Sequence, residues 1–293
     1  MIYVDLSSFV PNDDWRYTAW QLTQELISAV DKQTFIKDNE SFWGAIKNDL
    51  PLSHKCWFTE ETVGGFPYQV EHFRPKDGVR RISKRNPIKK LLKSFEEENR
   101  NGWTQKASLS KECYWWLAFE HTNFRIVASL INSKKGNFFP IKQGTTIMYS
   151  PSDNIANEIH ILLDPTKEND PQLLTFDNSG NAIPSKNDKT DFDYVRAFVS
   201  ISIYGLNSYP FLVQKRVSKW KECEKAIKRA NIKYIEMERV TDLDNFNNLY
   251  DEFIDFVDSD IKPSLSPLSE FSAVAMACVK SYSYEWIQDY VLN

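Results

Sequence analysis

The hydrophobic period of this chain changes twice, and that confines it to a fold mixing helices with a small sheet. After Asp13-Asp14, apolar side chains fall at Trp15, Ala19, Leu22, Leu26 and Ala29/Val30, a helical spacing behind two carboxylates placed for a helix N-terminus. A shorter helical pattern runs from about Phe42 to Leu50 and stops at Pro51. The texture then turns to strand. Cys56-Trp57-Phe58-Thr59 and Tyr68-Gln69-Val70-Glu71-His72-Phe73 are rich in aromatic and β-branched residues, and Gly64-Gly65 and Pro67 separate them. This predicts a β-hairpin with a loop longer than two residues. Tyr114 to Pro140 is again aromatic, and residues 141–188 are strand-and-turn text punctuated by Pro, Asn, Asp and Gly. Beyond Asp191 the pattern is helical to the end, with Gly205 and Pro210 breaking the first pair of helices. The expected class is α+β: a helical N-terminal segment over 1–52, a β-rich centre over 53–188 and a helical region over 189–293.

Composition removes several functions. Nine glycines in 293 residues, with no GxGxxG or GxxxxGK[ST], speak against dinucleotide-binding and phosphate-loop folds, which need clustered glycines. With 36 Lys+Arg against 40 Asp+Glu, the net charge of -4 supplies no global field toward nucleic acid or an anionic membrane. Any such binding must be local. The segment Lys76 to Lys93 is the candidate: Lys76, Arg80, Arg81, Lys84, Arg85, Lys89, Lys90 and Lys93 stand against Asp77 alone, followed by Glu96-Glu97-Glu98. It reads as a surface insertion at about residues 77–111. Cys56, Cys113, Cys223 and Cys278 form no CxxC pair, and MIYVDLSSFVPNDDW has no basic n-region. A reduced, cytoplasmic protein is expected. The longest small-and-apolar stretch, Ala273 to Val279, is far short of the roughly 20 residues of a spanning helix, so no membrane association is expected.

The chemistry gathers around Glu71-His72. The pair ends a predicted strand, and Phe73-Arg74-Pro75-Lys76 follows, with the proline stopping strand pairing. Further on, YWWLAFEHTNFRIVASLINSKKGNFFP places Asn123 and Asn132 nine residues apart, with Lys134 and Lys135 behind them. A carboxylate, an imidazole and two amides are the groups a one-metal phosphodiesterase site needs. The oxygen donors leave most of a hard Mg²⁺ sphere to water and phosphate, the histidine takes a proton from water, and the cations offset phosphate charge.

These residues resemble the HNH endonucleases of the ββα-metal fold, and more narrowly the HNH subunits of Septu-type and retron-associated antiphage systems. The resemblance rests on VEHFRPK (Val70 to Lys76), YWWLAFEHTNFR (Tyr114 to Arg125), INSKKGNFFP (Ile131 to Pro140), LLDPTKENDPQLLTFDNSGN (Leu162 to Asn181) and YGLN (Tyr204 to Asn207), about half the chain. It implies a small ββα-metal HNH core with His72 as general base, Glu71 and Asn132 as ligands of Mg²⁺ or Mn²⁺, and Asn123 fixing the loop that carries His72. Lys135 is similar to the lysine following the last HNH position, and Arg74 is expected at the scissile or a flanking phosphate. Lys76, Arg80, Arg81, Lys84, Arg85 and Lys134 are the further expected nucleic-acid contacts.

Relatives often hold a structural zinc with two CxxC pairs. Here Cys56 is matched with Thr59, and the second pair's positions are Ala128 and Ile131, so four ligands cannot be assembled and no structural zinc is expected. His54, His121 and His160 are read as surface or packing residues, Tyr114-Trp115-Trp116 as core, and Glu158 and Asp164 as turn and capping groups. The resemblance implies the effector subunit of a bacterial antiphage complex beside an SMC/ABC-type ATPase, with or without a retron reverse transcriptase. DNA is favoured over RNA, although phosphate contacts carry no base information. A non-catalytic nucleic-acid-binding or scaffolding subunit, and an RNA-directed nuclease attacking tRNA, are the alternatives. An amphipathic stripe at Leu243, Phe246, Leu249, Phe253 and Phe256/Val257 is either core or the contact for the ATPase.

Overall fold

The structure is a computed structural model that describes residues 1–62, 68–79, 113–142, 145 and 148–292. Helices combine with two small antiparallel sheets, the α+β class. The chain divides into two compact units: residues 3–174 and 184–206 with Met1, and residues 175–183 and 207–293 with Ile2.

In the first unit α1 spans Asp13–Ser28, and the Asn12 side chain accepts the Trp15 amide at 2.9 Å. It stops short of Val30 because Ala29 is already extended (φ -65, ψ 136). A helix the apolar pattern does not announce follows, α2 at Lys32–Asp38. Asp31 accepts the Gln33 and Thr34 amides there, an N-cap signal present in the sequence. The pattern over Phe42 to Leu50 yields only α3 (Ser41–Ala45) and then turns.

The expected hairpin is corrected. Strand β1 (Tyr68–His72) pairs antiparallel with β2 (Phe124–Ala128), in the register Tyr68 to Ala128, Val70 to Ile126 and His72 to Phe124. Residues 56–61 instead close on themselves. The Cys56 amide donates to the Glu61 carbonyl at 3.0 Å, the Glu60 amide to the Cys56 carbonyl at 2.8 Å, and Glu60 lies at φ 64. The Glu60 carboxylate is buried against the Met1 ammonium at 2.9 Å. The aromatic text at 56–58 marked buried packing, with only the Trp57 amide reaching the Ile126 carbonyl of β2 (3.0 Å). Every β2 residue is buried, so this strand supplies the floor on which β1 lies.

Helix α4 (Ser129–Lys135) leaves β2 directly and ends at Gly136, whose φ of 47 suits glycine. Where the chain reaches residue 79, the Val79 amide donates to Cys113 Sγ at 3.3 Å. Residues Arg80, Arg81, Lys84 and Arg85 of the basic insertion lie outside the described residues. Strands β3 (Leu174–Phe176) and β4 (Ala182–Pro184) form the second sheet, joined through the Asp177–Asn181 turn. Helix α5 (Phe192–Tyr204) starts just beyond Asp191, whose side chain caps it, and ends at the expected break, Gly205 (φ 63). Tyr204 donates its hydroxyl to the Leu163 carbonyl at 3.0 Å.

The second unit is built on α6 (Pro210–Glu238), with α7 (Leu243–Phe256), a π-turn at Val257–Ile261, α8 (Lys262–Leu265), α9 (Ser272–Lys280) and α10 (Glu285–Ile287). The amphipathic stripe of α7 is core at its C-terminal end. Phe253 and Val257 are buried, and Phe253 packs edge-on against Trp286 and Tyr290. Only Leu243 of the stripe is widely exposed, so Phe253 is no docking contact. Among the described residues no helix is long and apolar enough to cross a membrane.

Candidate active site

Alternation along β1 sends Gln69 and Glu71 to one face and Val70 and His72 to the other. The helix after β2 covers the first face. Asn132 Nδ2 donates to Gln69 Oε1 at 2.8 Å, and Lys135 Nζ donates to Glu71 Oε1 at 2.5 Å. Asn132 and Lys135 are one helical turn apart, so the two bonds form successive rungs between strand and helix. Lys135 also donates to the His72 carbonyl at 3.1 Å and the Gly136 carbonyl at 3.4 Å. Its ammonium has three protons and three acceptors, and the side chain is 1% exposed. The structure therefore places Lys135 inside, as a clamp on Glu71 and the end of β1. Burial pushes the Glu71 carboxyl above its ordinary value, against the pull of Lys135.

His72 is buried on the opposite face, edge-on to Trp43 (5.0 Å) and Phe124 (5.1 Å). Its Nε2 lies 2.8 Å from the Ala118 carbonyl oxygen. A carbonyl only accepts, so Nε2 carries the proton and Nδ1 keeps the lone pair. Burial lowers the imidazole to about 3, so it is neutral at neutral pH.

Asn123 closes the loop after His72. Its Oδ1 accepts the Arg74 amide at 2.9 Å, its Nδ2 donates to the Arg74 carbonyl at 3.0 Å, and its carbonyl accepts the Phe73 amide at 2.8 Å. Three bonds from one buried residue hold residues 73–74. The Arg74 guanidinium points inward: Nε donates to Glu158 Oε1 at 3.0 Å, and the group lies 5.6 Å from the centre of the Phe139 ring. Tyr114 donates its hydroxyl to the same Glu158 carboxylate. Burial, then the Glu158 charge, push the Tyr114 phenol far above its ordinary value. Arg74 is thus committed to a buried carboxylate, where a phosphate contact was expected. Lys134 is exposed on α4, and Lys76 lies over the Trp43 ring (5.2 Å) beside Asp77 (3.1 Å).

The acidic residues of the LLDP region form ion pairs that spacing did not announce. Arg125 grips Asp164 through two bonds of 2.7 Å, and Arg196 holds Asp170 through bonds of 2.7 and 2.6 Å. Asp164 would rise by burial alone; Arg125 draws it down to about 2. It also accepts the Thr166 amide at 3.0 Å, the local turn role expected of it. His160 donates through Nδ1 to the Leu162 carbonyl (2.8 Å), and burial lowers it to about 4. His121 packs against Trp15 and Phe9, and Tyr114, Trp115 and Trp116 are buried. Among the described residues no three His, Cys, Asp or Glu side chains gather as a metal-binding group. No known protein family's profile matches the chain, and no curated protein is significantly similar to it.

Proposed function

We propose that this chain is a metal-dependent HNH-type endonuclease that hydrolyses nucleic-acid phosphodiester bonds, with β1, β2 and α4 as its ββα-metal core. The observation that carries the reading is the orientation of His72. Its Nε2–H is committed to the Ala118 carbonyl and its ring is neutral, so Nδ1 is the atom that takes a proton from attacking water. Asn123 keeps the loop behind it in place. On the opposite face of β1, Lys135 holds one Glu71 oxygen and Gln69 holds the Asn132 amide nitrogen, which leaves a second carboxylate oxygen and an amide oxygen as donors. Two hard oxygens suit Mg²⁺ or Mn²⁺. Such a cation, when bound, would offset the negative charge that the phosphate gains in the transition state. Lys134 is an exposed cation for flanking phosphates, and Lys76 would have to leave Asp77 to join it.

DNA is the favoured substrate and a bacterial antiphage complex with an SMC/ABC-type ATPase the favoured setting. Both rest on the motifs in Val70–Lys76 and Tyr114–Pro140. One observation favours a second reading, a non-catalytic nucleic-acid-binding subunit: the Lys135 ammonium already neutralises Glu71. Plasmid nicking in Mg²⁺ and Mn²⁺, with EDTA as control and RNA in parallel, separates the two. Nicking should stop with EDTA and fall about 10²- to 10⁴-fold in His72→Ala, the usual cost of losing a positioned base. Equal rates in His72→Ala would reject the base. No cleavage by the wild-type chain, alone or with the ATPase, would leave the second reading.

A further inference from the structure

Helix α6 sorts its cations into two sets. Between Lys215 and Lys233 it carries eight Lys and Arg against Glu222 and Glu224. Arg216 is buried over the Phe176 ring. Four others have carboxylate partners: Lys215 with Glu270 (3.9 Å), Lys219 with Glu222 (3.8 Å), Lys228 with Glu224 (2.9 Å) and Lys233 with Glu252 (3.1 Å). The remaining three, Lys221, Lys225 and Arg229, are exposed and form no ion pair among the described residues.

Those three stand at i, i+4 and i+8, in one line with steps of about 6 Å along the axis. The helix buries Trp220, Cys223, Ile227 and Ala230 on its other side, which turns the line outward. Like charges at i, i+4 spacing cost a helix a few tenths of a kcal/mol per pair. Glu224 attracts Lys221 from the neighbouring row, but neither Glu222 nor Glu224 forms an ion pair with the line. Toward the N-terminus the same face continues with exposed Gln214, whose side-chain amide can donate a hydrogen bond to a phosphate oxygen. With a net charge of -4, the molecule as a whole offers a polyanion no attraction, so affinity for one must come from such a local line.

We propose that Lys221, Lys225 and Arg229 form a docking line for the phosphate backbone of duplex DNA, holding successive phosphates without reading bases. The proposal rests on the nuclease reading for its choice of polyanion. The test is fluorescence anisotropy of the full chain with a labelled DNA duplex of roughly 30 base pairs in EDTA, across about 50 to 300 mM KCl, the range in which counterion release is read. Lys221→Gln/Lys225→Gln/Arg229→Gln is compared with wild type and with Lys228→Gln/Lys233→Gln, which removes paired cations. The triple variant should lose about 0.9 in log–log salt slope per contact, close to 3 in all, and bind roughly ten- to a hundredfold more weakly at 0.1 M salt. The paired-cation control should stay within about twofold. An unchanged slope and affinity in the triple variant, or no duplex binding by wild type, overturns the proposal. Because EDTA removes cleavage from the measurement, a chain that binds through this line but never nicks would overturn the nuclease reading alone.

Discussion

Lys135 is the residue whose surroundings say most about the candidate site, because its charge is spent inside the protein. Removing one member of a buried ion pair leaves the other uncompensated, at a cost of about 3 to 5 kcal/mol. Lys135→Met should therefore destabilise the protein by that order in urea titrations, and adding Glu71→Gln should recover most of it. Wild-type stability in the single variant would mean the ammonium is solvated. His72 and His160 make a pH prediction. Their folded values, about 3 and about 4, lie below the ordinary 6.5, so the unfolded chain binds protons first as pH falls. Stability is complete above pH 6.5 and declines below it, by up to about 1.4 kcal/mol per pH unit for each histidine. Urea midpoints at successive pH values between 7.5 and about 4.5 should show the decline, and His160→Gln should remove about half of it.

At the level of elements, the hairpin between β3 and β4 has little room for change. A Cβ at Gly180, whose φ is 78, would come within 2.4 Å of the Val213 carbonyl oxygen. Gly180→Ala should cost about 1 to 3 kcal/mol, read as a lowered melting temperature. Phe253→Asp should unfold the helical unit, since the ring is buried between Tyr234, Trp286 and Tyr290. What the sequence made legible follows from range. The helical text beyond Asp191, the breaks at Gly205 and Pro210 and the strand through Tyr68–His72 are signals contained within a few residues, and they held. The partner of that strand is not such a signal: Phe124–Ala128 is apolar apart from Arg125, and nothing local says that it, rather than Cys56–Thr59, lies beside β1. The candidate residues were legible as types, whereas the Glu158 and Asp164 ion pairs depend on which arginines folding brings near. Lys135 pointed toward phosphate on resemblance and points to Glu71 in space.

For the whole molecule, charge and fold meet in one pH interval. The chain is uncharged near pH 5.7, where self-repulsion is least, and the two histidines are already withdrawing stability there. Light scattering on warming should show aggregation fastest at about pH 5 to 6, with recovery toward pH 8; uniform behaviour across that range would argue that the histidines are solvated.

The bond from Val79 to Cys113 brings the two ends of the basic insertion together. Val79 and Cys113 are thus neighbours whatever the length of chain between them, and the unit around β1 need not know how long that segment is. Closing a shorter loop changes the chain's entropy only with the logarithm of its length, about 0.6 kcal/mol for each halving. Replacing residues 80–112 with a few glycines and serines should keep β1, β2 and α4 folded, with a melting temperature within a few degrees of the parent. The segment between Val79 and Cys113 would then be a cassette: lineages, or engineers, can trade its length and charge while the histidine strand stays as it is.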